Sequence, residues 1–121
     1  MPDQNNSFCI VRCIDGFGFA FRGIKTLVVT QQNAKIHVVA TVIVLLTAAT
    51  ANLEAWRWGM LVFAMGIVWV AEGLNTAIEF LADAAVPEHH ELVEKAKDVA
   101  AGAVLLAAIS ALAIGAIVFF F

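Results

Sequence analysis

The sequence predicts an all-α membrane protein, with one amphipathic helix on the membrane surface followed by three transmembrane helices. Two compositional observations and one positional observation carry this reading. Of 121 residues, 62% are hydrophobic and 14% charged, and the mean hydropathy is +0.90. A soluble domain this small leaves much of its surface in water and needs charge to cover it, so most of this apolar surface faces lipid or neighbouring subunits. The apolar residues also fall into three runs of span length, with the ionisable ones gathered at their ends and between them. Together these features exclude a disordered tail, a disulfide-stapled secreted scaffold and a free-standing cytosolic enzyme. A formal net charge of -3 and a pI near 5.4 lack the basic excess that phosphate backbones require, so no nucleic-acid partner is expected.

The first element is the stretch 8–29, where Phe17, Phe19, Phe21, Ile24 and Leu27 alternate with Arg12, Arg22 and Lys25. That is the composition of a helix lying in the interface, which Gly16, Gly18 and Gly23 are expected to kink. Cys9 and Cys13 stand one helical turn apart with no further Cys or His at ligand spacing, so reduced, partly buried thiols are expected. Residues 1–8 are polar, and Arg12 and Asp15 interrupt the apolar stretch that follows. No cleavable signal is therefore expected, and insertion falls to internal segments.

The first span, 36–53, is apolar apart from His37, its threonines and Asn52. At about 1.5 Å per residue it just crosses a core of about 30 Å if flanking residues join the helix. The second starts at Trp58, is uncharged through Ala71, and continues at helical period through Glu72, Asn75, Glu79 and Asp83 until Pro87 marks the turn. The third, 99–121, has no ionisable side chain and ends in Phe119, Phe120 and Phe121, which suit an interface. The organisation expected is an N-terminal segment over 1–30 and one three-span unit over 31–121. Arg12, Arg22, Lys25 and Lys35 precede span one, Lys95 and Lys97 lie between spans two and three, and Arg57 alone falls in the remaining link. The positive-inside rule then makes the N-terminus and the 84–98 loop cytoplasmic.

Chemistry is expected on span two. Glu72, Asn75, Glu79 and Asp83 are spaced by 3, 4 and 4 residues, and at about 100° per residue they fall within an arc of roughly 80°. An ionisable residue at the bilayer centre costs roughly 2.5–3.5 kcal/mol on insertion scales, so several in register demand pairing, water or a metal ion. Hydrogen-bond glue between helices is the plainer reading for a lone Asn, but three carboxylates with an amide on one stripe favour a functional site. Oxygen donors in this pattern suit a hard cation such as Mg²⁺, whose shell keeps waters and phosphates, and so point to phosphoryl transfer. Lys97 and Asp98 open the third span, ahead of the small-residue run 99–103. Lys97 would neutralise phosphate oxygens there, although alone it reads as an interfacial anchor, and His89 and His90 alone read as solvated. The Gly-rich run 15–23 is no phosphate loop, because Phe21 occupies the third glycine position and no strand precedes it.

Glu72-Gly-Leu-Asn75-Thr-Ala-Ile-Glu79 followed by Asp83, then His90, then Ala96-Lys97-Asp98 with small residues after it, resembles the prokaryotic diacylglycerol kinase family of integral membrane lipid kinases. The resemblance covers roughly 12–121, including Arg12 and Gly23-Ile24-Lys25. It implies a surface helix and three spans per subunit, homotrimers with composite active sites shared between subunits, a membrane lipid and ATP as substrates, Mg²⁺ as cofactor, and the bacterial inner membrane as location. Residue by residue it implies Glu72 as general base for the lipid hydroxyl, Glu79 as metal ligand and Asn75 shaping the site between them. Asp83 and Lys97 would serve the phosphates, His90 and Asp98 the nucleotide end, and Arg12 the approach from the surface helix. Gln31 stands where many relatives carry a glutamate that helps hold the metal, offering a neutral oxygen in its place. Asn33 and His37, with the sequences around Asn75 and Asp98, look more like the branch acting on undecaprenol than the one acting on diacylglycerol. A small multidrug-type exporter would need a fourth span and a midplane carboxylate. A catalytically weakened structural relative is the alternative that Gln31 keeps open.

Overall fold

The computed structural model describes residues 9–121, and among them every regular element is a helix: α1 (Ile10–Thr30), α2 (Gln32–Thr50), α3 (Ala55–Ala85) and α4 (Glu91–Phe120). The polar residues 1–8, on which the expectation about a signal segment rests, lie outside the described residues. Helices α2, α3 and α4 are long and apolar enough to cross a membrane. The three expected spans are therefore present, and the fourth span of an exporter is not found among the described residues.

Local chemistry explains where the helices stop. Between α1 and α2 only Gln31 is non-helical, with extended backbone (φ -99°, ψ 125°) and its N–H donating to the Leu27 carbonyl. Asn52 takes φ 50°, a left-handed conformation that Asn tolerates better than most residues, and it turns the chain from α2 into α3. Pro87 follows the end of α3, and its ring disfavours helical backbone at Val86, which sits at φ -136°. His90 caps α4 by accepting the Leu92 N–H at its Nδ1 (3.2 Å), and Glu91 and Glu94 place negative charge in the first turn, where the helix dipole favours it.

Two expectations need correction. Helix α1 is unbroken through Gly16, Gly18 and Gly23, none of which takes a positive φ; glycine lowers helix stability but, unlike proline, keeps its N–H in the hydrogen-bond ladder. Cys9 and Cys13 are free, as expected, but exposed. They lie at the end of α1 away from Leu27, where the helix meets the bundle. Flanking residues join the helices, as the marginal length of span one requires, with Lys35 and Arg57 taken up inside α2 and α3.

Helices α3 and α4 form the principal pair. At one end of it Ala48, Leu61 and Val118 are buried together, with Val44, Trp58 and Ile114 packed around them. At 31 residues and about 1.5 Å per residue, α3 outruns a core of about 30 Å by roughly 16 Å. The charged end of α3 and the charged start of α4 lie side by side, with Lys97 paired to Asp83. Large apolar side chains stay exposed on all four helices, from Phe17 and Phe21 on α1 to Leu106 and Leu112 on α4, as expected for surfaces that meet lipid or other subunits.

Candidate active site

The acidic stripe of α3 runs from buried to open. Glu72 is 1% exposed and Asn75 7%, Glu79 is half-buried and Asp83 exposed. Asn75 Nδ2 donates to Glu79 Oε1 at 3.4 Å, one turn along the same helix. Below them Lys97 Nζ on α4 donates to Asp83 Oδ1 at 2.9 Å. These two side chains, together with His90 and Asp98, line an open cleft of about 430 Å³. One helix pair therefore presents a buried carboxylate, an amide–carboxylate pair and an accessible ion pair in sequence.

Three buried polar atoms on this face have no hydrogen-bond partner among the described residues: Glu72 Oε2, Asn75 Oδ1 and Thr76 Oγ1. Buried polar groups are ordinarily paired, and leaving one unpaired costs about 1–3 kcal/mol. Three within two turns mark a place where water or a ligand belongs. His37 Nε2 approaches Glu72 Oε2 at 3.7 Å, within ion-pair range but too long for a hydrogen bond. Its ring meets Trp69 edge-on with centroids 6.0 Å apart, and Trp69 Nε1 donates to Thr41 Oγ1 at 3.1 Å.

Glu72, Asn75 and Glu79 are brought together on α3, and Asp83, Lys97, Asp98 and His90 at the mouth of the cleft. Arg12 and Gln31 are not joined to either group. Leu27 contacts α3 near Gly73, and Arg12 lies fifteen residues before it on α1, about 22 Å along the axis. Gln31 is half-buried at the α1–α2 break, and its Nε2 donates to Thr30 Oγ1 at 3.2 Å. Thr76 and the His37–Trp69–Thr41 set are absent from the site residues the sequence indicates. The available signal for His37 was an ionisable side chain inside an apolar span, which by itself warrants a functional hypothesis.

Fold and site define a polytopic helical membrane protein with a carboxylate centre toward one end of its spans. The family described as "Prokaryotic diacylglycerol kinase" matches residues 18–119. A diacylglycerol kinase of Synechocystis sp. is 42% identical over 100 residues, covering 82% of this chain, and this chain spans 57% of that relative's length. The undecaprenol kinase of Bacillus subtilis is 35% identical over 108 residues, covering 89% of this chain and 88% of its own. The diacylglycerol kinase of Escherichia coli K12 is 30% identical over 107 residues, covering 88% of each chain. The chain belongs to the prokaryotic diacylglycerol kinase family, a family of membrane lipid kinases.

Proposed function

We propose that this chain transfers the γ-phosphoryl group of ATP to the primary hydroxyl of a membrane lipid, diacylglycerol or undecaprenol, the two lipids for which its relatives are named. The observation that carries the reading is Glu72, a carboxylate buried inside a span with Oε2 unpaired, on the same helix face as Asn75, Glu79 and Asp83. In this reading Glu72 takes the proton of the lipid hydroxyl as its oxygen attacks the γ-phosphorus. The bond from that phosphorus to the β,γ-bridging oxygen breaks, and ADP leaves with the bridging electron pair. Lys97, with Asp83 orienting its ammonium, binds phosphate oxygens at the open end, and His90 and Asp98 border the nucleotide.

Among the described residues no three His, Cys, Asp or Glu side chains stand close enough to cage a metal ion. The Glu79 carboxylate and the unpaired Asn75 Oδ1 form a partial oxygen set. That fits Mg²⁺, which is usually held by one or two carboxylates and the substrate's own phosphates. Bound there, Mg²⁺ would offset charge on the triphosphate.

The same reading places the N-terminus and the 84–98 loop in the cytoplasm, supported by the distribution of Lys and Arg. It makes the protein a homotrimer of the bacterial inner membrane, with Arg12 serving a neighbouring subunit's site, supported by the roughly 22 Å that separates it from the Gly73 contact within one chain. The three-span unit over 31–121 carries the kinase, and 1–30 supplies the surface helix.

The test is purified protein in mixed micelles with radiolabelled ATP and either lipid. Label transfer to one lipid, dependent on Mg²⁺, supports the reading. ATP binding without transfer to either lipid favours the structural relative to which the neutral Gln31 points.

A further inference from the structure

We infer that His37 is the positioning residue for the Glu72 carboxylate, an inference that rests on Glu72 being the base of the proposed reaction. Glu72 is 1% exposed, and its Oε2 has no hydrogen-bond partner among the described residues. A carboxylate left alone in so apolar a place is expensive as an ion and poorly aimed as a base. Among the described residues His37 is the one basic side chain within ion-pair range of it, at 3.7 Å from Nε2 to Oε2.

The imidazole is itself held. Trp69 stands on α3 three residues before Glu72, and its ring lies edge-on to His37. Its indole N–H donates to Thr41 Oγ1, one turn along α2 from His37. Helices α2 and α3 are thus tied to each other immediately beside the imidazole, and the tie leaves Nε2 facing the carboxylate. A distance of 3.7 Å closes to a hydrogen bond through a small side-chain rotation or one bridging water, and catalytic contacts often tighten only once substrate is bound. An N–H on Oε2 fixes the plane of the carboxylate and leaves Oε1 for the lipid hydroxyl. The apolar cleft of about 600 Å³ between α2, α3 and α4 has His37, Thr41 and Trp69 among its lining residues. His37 therefore touches both the proposed base and the cleft beside it.

The experiment compares wild type, His37→Ala, His37→Gln and Glu72→Gln as full-length protein in lipid micelles, with kcat and both KM values measured. A positioning role predicts that His37→Ala lowers kcat by on the order of ten- to a hundredfold, as removal of an orienting partner commonly does. Both KM values should stay within about twofold, since substrate binding is left alone. His37→Gln keeps an N–H at similar reach and should recover most of the loss. Turnover that survives Glu72→Gln overturns the base assignment, and the role of His37 with it. If Glu72→Gln is inactive while His37→Ala retains full kcat, His37 alone loses its role. A fall in kcat matched by a rise in both KM values, and unrelieved by Gln, also overturns it, because that is the signature of a disturbed fold.

Discussion

Arg57 and Glu72 sit fifteen residues apart on one helix, about 22 Å along its axis, and the fold treats their charges in opposite ways. The Arg57 guanidinium donates to the carbonyls of Ile117 and Val118, the last turn of α4, and lies over the Trp56 ring at 4.7 Å. A cation at a helix C-terminus satisfies carbonyls that have no partner within the helix and meets the negative end of the dipole. Ala48, Leu61 and Val118 close over the same end. At the Glu72 end, three buried polar atoms have no hydrogen-bond partner among the described residues. Polar groups are satisfied where the helices only hold together. They are left open where, on the proposed reading, a hydroxyl and a triphosphate arrive to complete them.

The sharpest way to break this contrast is Glu72→Gln. If the Glu72 carboxylate is the base, the isosteric amide should lower turnover by on the order of 10²–10⁴, the usual cost of removing a general base, while ATP still binds. Lipid-kinase turnover and ATP titration by fluorescence measure the two separately. Persistence of turnover would mean that the unpaired oxygen is a packing defect. Glu79→Gln should act differently, weakening Mg-ATP binding by roughly tenfold or more and raising the Mg²⁺ concentration needed for half-maximal rate. Equal Mg²⁺ dependence in wild type and Glu79→Gln would remove Glu79 from the metal.

Much of the contrast was legible in the sequence, for physical reasons. Helical period is fixed, so the spacing of Glu72, Asn75, Glu79 and Asp83 by itself puts them on one face, and a charge-free run from Val99 has little alternative to a span. The helix starts were less legible because charge marks a membrane boundary, not a helix boundary. Lys35 and Arg57 lie inside α2 and α3, whose N-termini fall at the extended residues Gln31 and Glu54. The short connection between spans two and three places Lys97 beside the acidic stripe, and it pairs with Asp83, but the contacts of α2 were not legible. Nothing local to His37 says that it meets Glu72, nor that Trp69 reaches Thr41, since those pairs depend on how α2 lies against α3. Exposure of Cys9 and Cys13 escaped for the same reason, being a property of where α1 docks.

A smaller effect is expected at the packed end. Leu61 is 3% exposed within the cluster around Ala48 and Val118. In a soluble core Leu→Ala costs about 2–5 kcal/mol, part of it the transfer of the lost methyl groups. In a bilayer that part largely drops out, because lipid is as apolar as the helix interface. The cavity remains, so Leu61→Ala should destabilise by about 1–2 kcal/mol in an unfolding titration from mild into denaturing detergent, with kcat unchanged. A loss of the full soluble-core size would show that this end unfolds into water.

The smallest change is expected at Arg57 itself. Its guanidinium meets two carbonyls at the end of α4, in a position only half-buried, so solvent screens part of the attraction. Removing a cation from such a helix end typically costs about 0.3–1 kcal/mol. Arg57→Met keeps the aliphatic reach over Trp56 but deletes the charge and the donors, and should lower stability by about that amount. Arg57→Lys keeps the charge and one direction of donation, and should recover part of the loss. Neither should alter kcat, because the site lies at the other end of α3. The same unfolding titration, read beside lipid-kinase turnover, separates the two halves of the helix. A fall in kcat for Arg57→Met at unchanged stability would mean that the two ends are coupled, and the division of α3 into a satisfied half and an open half would fail.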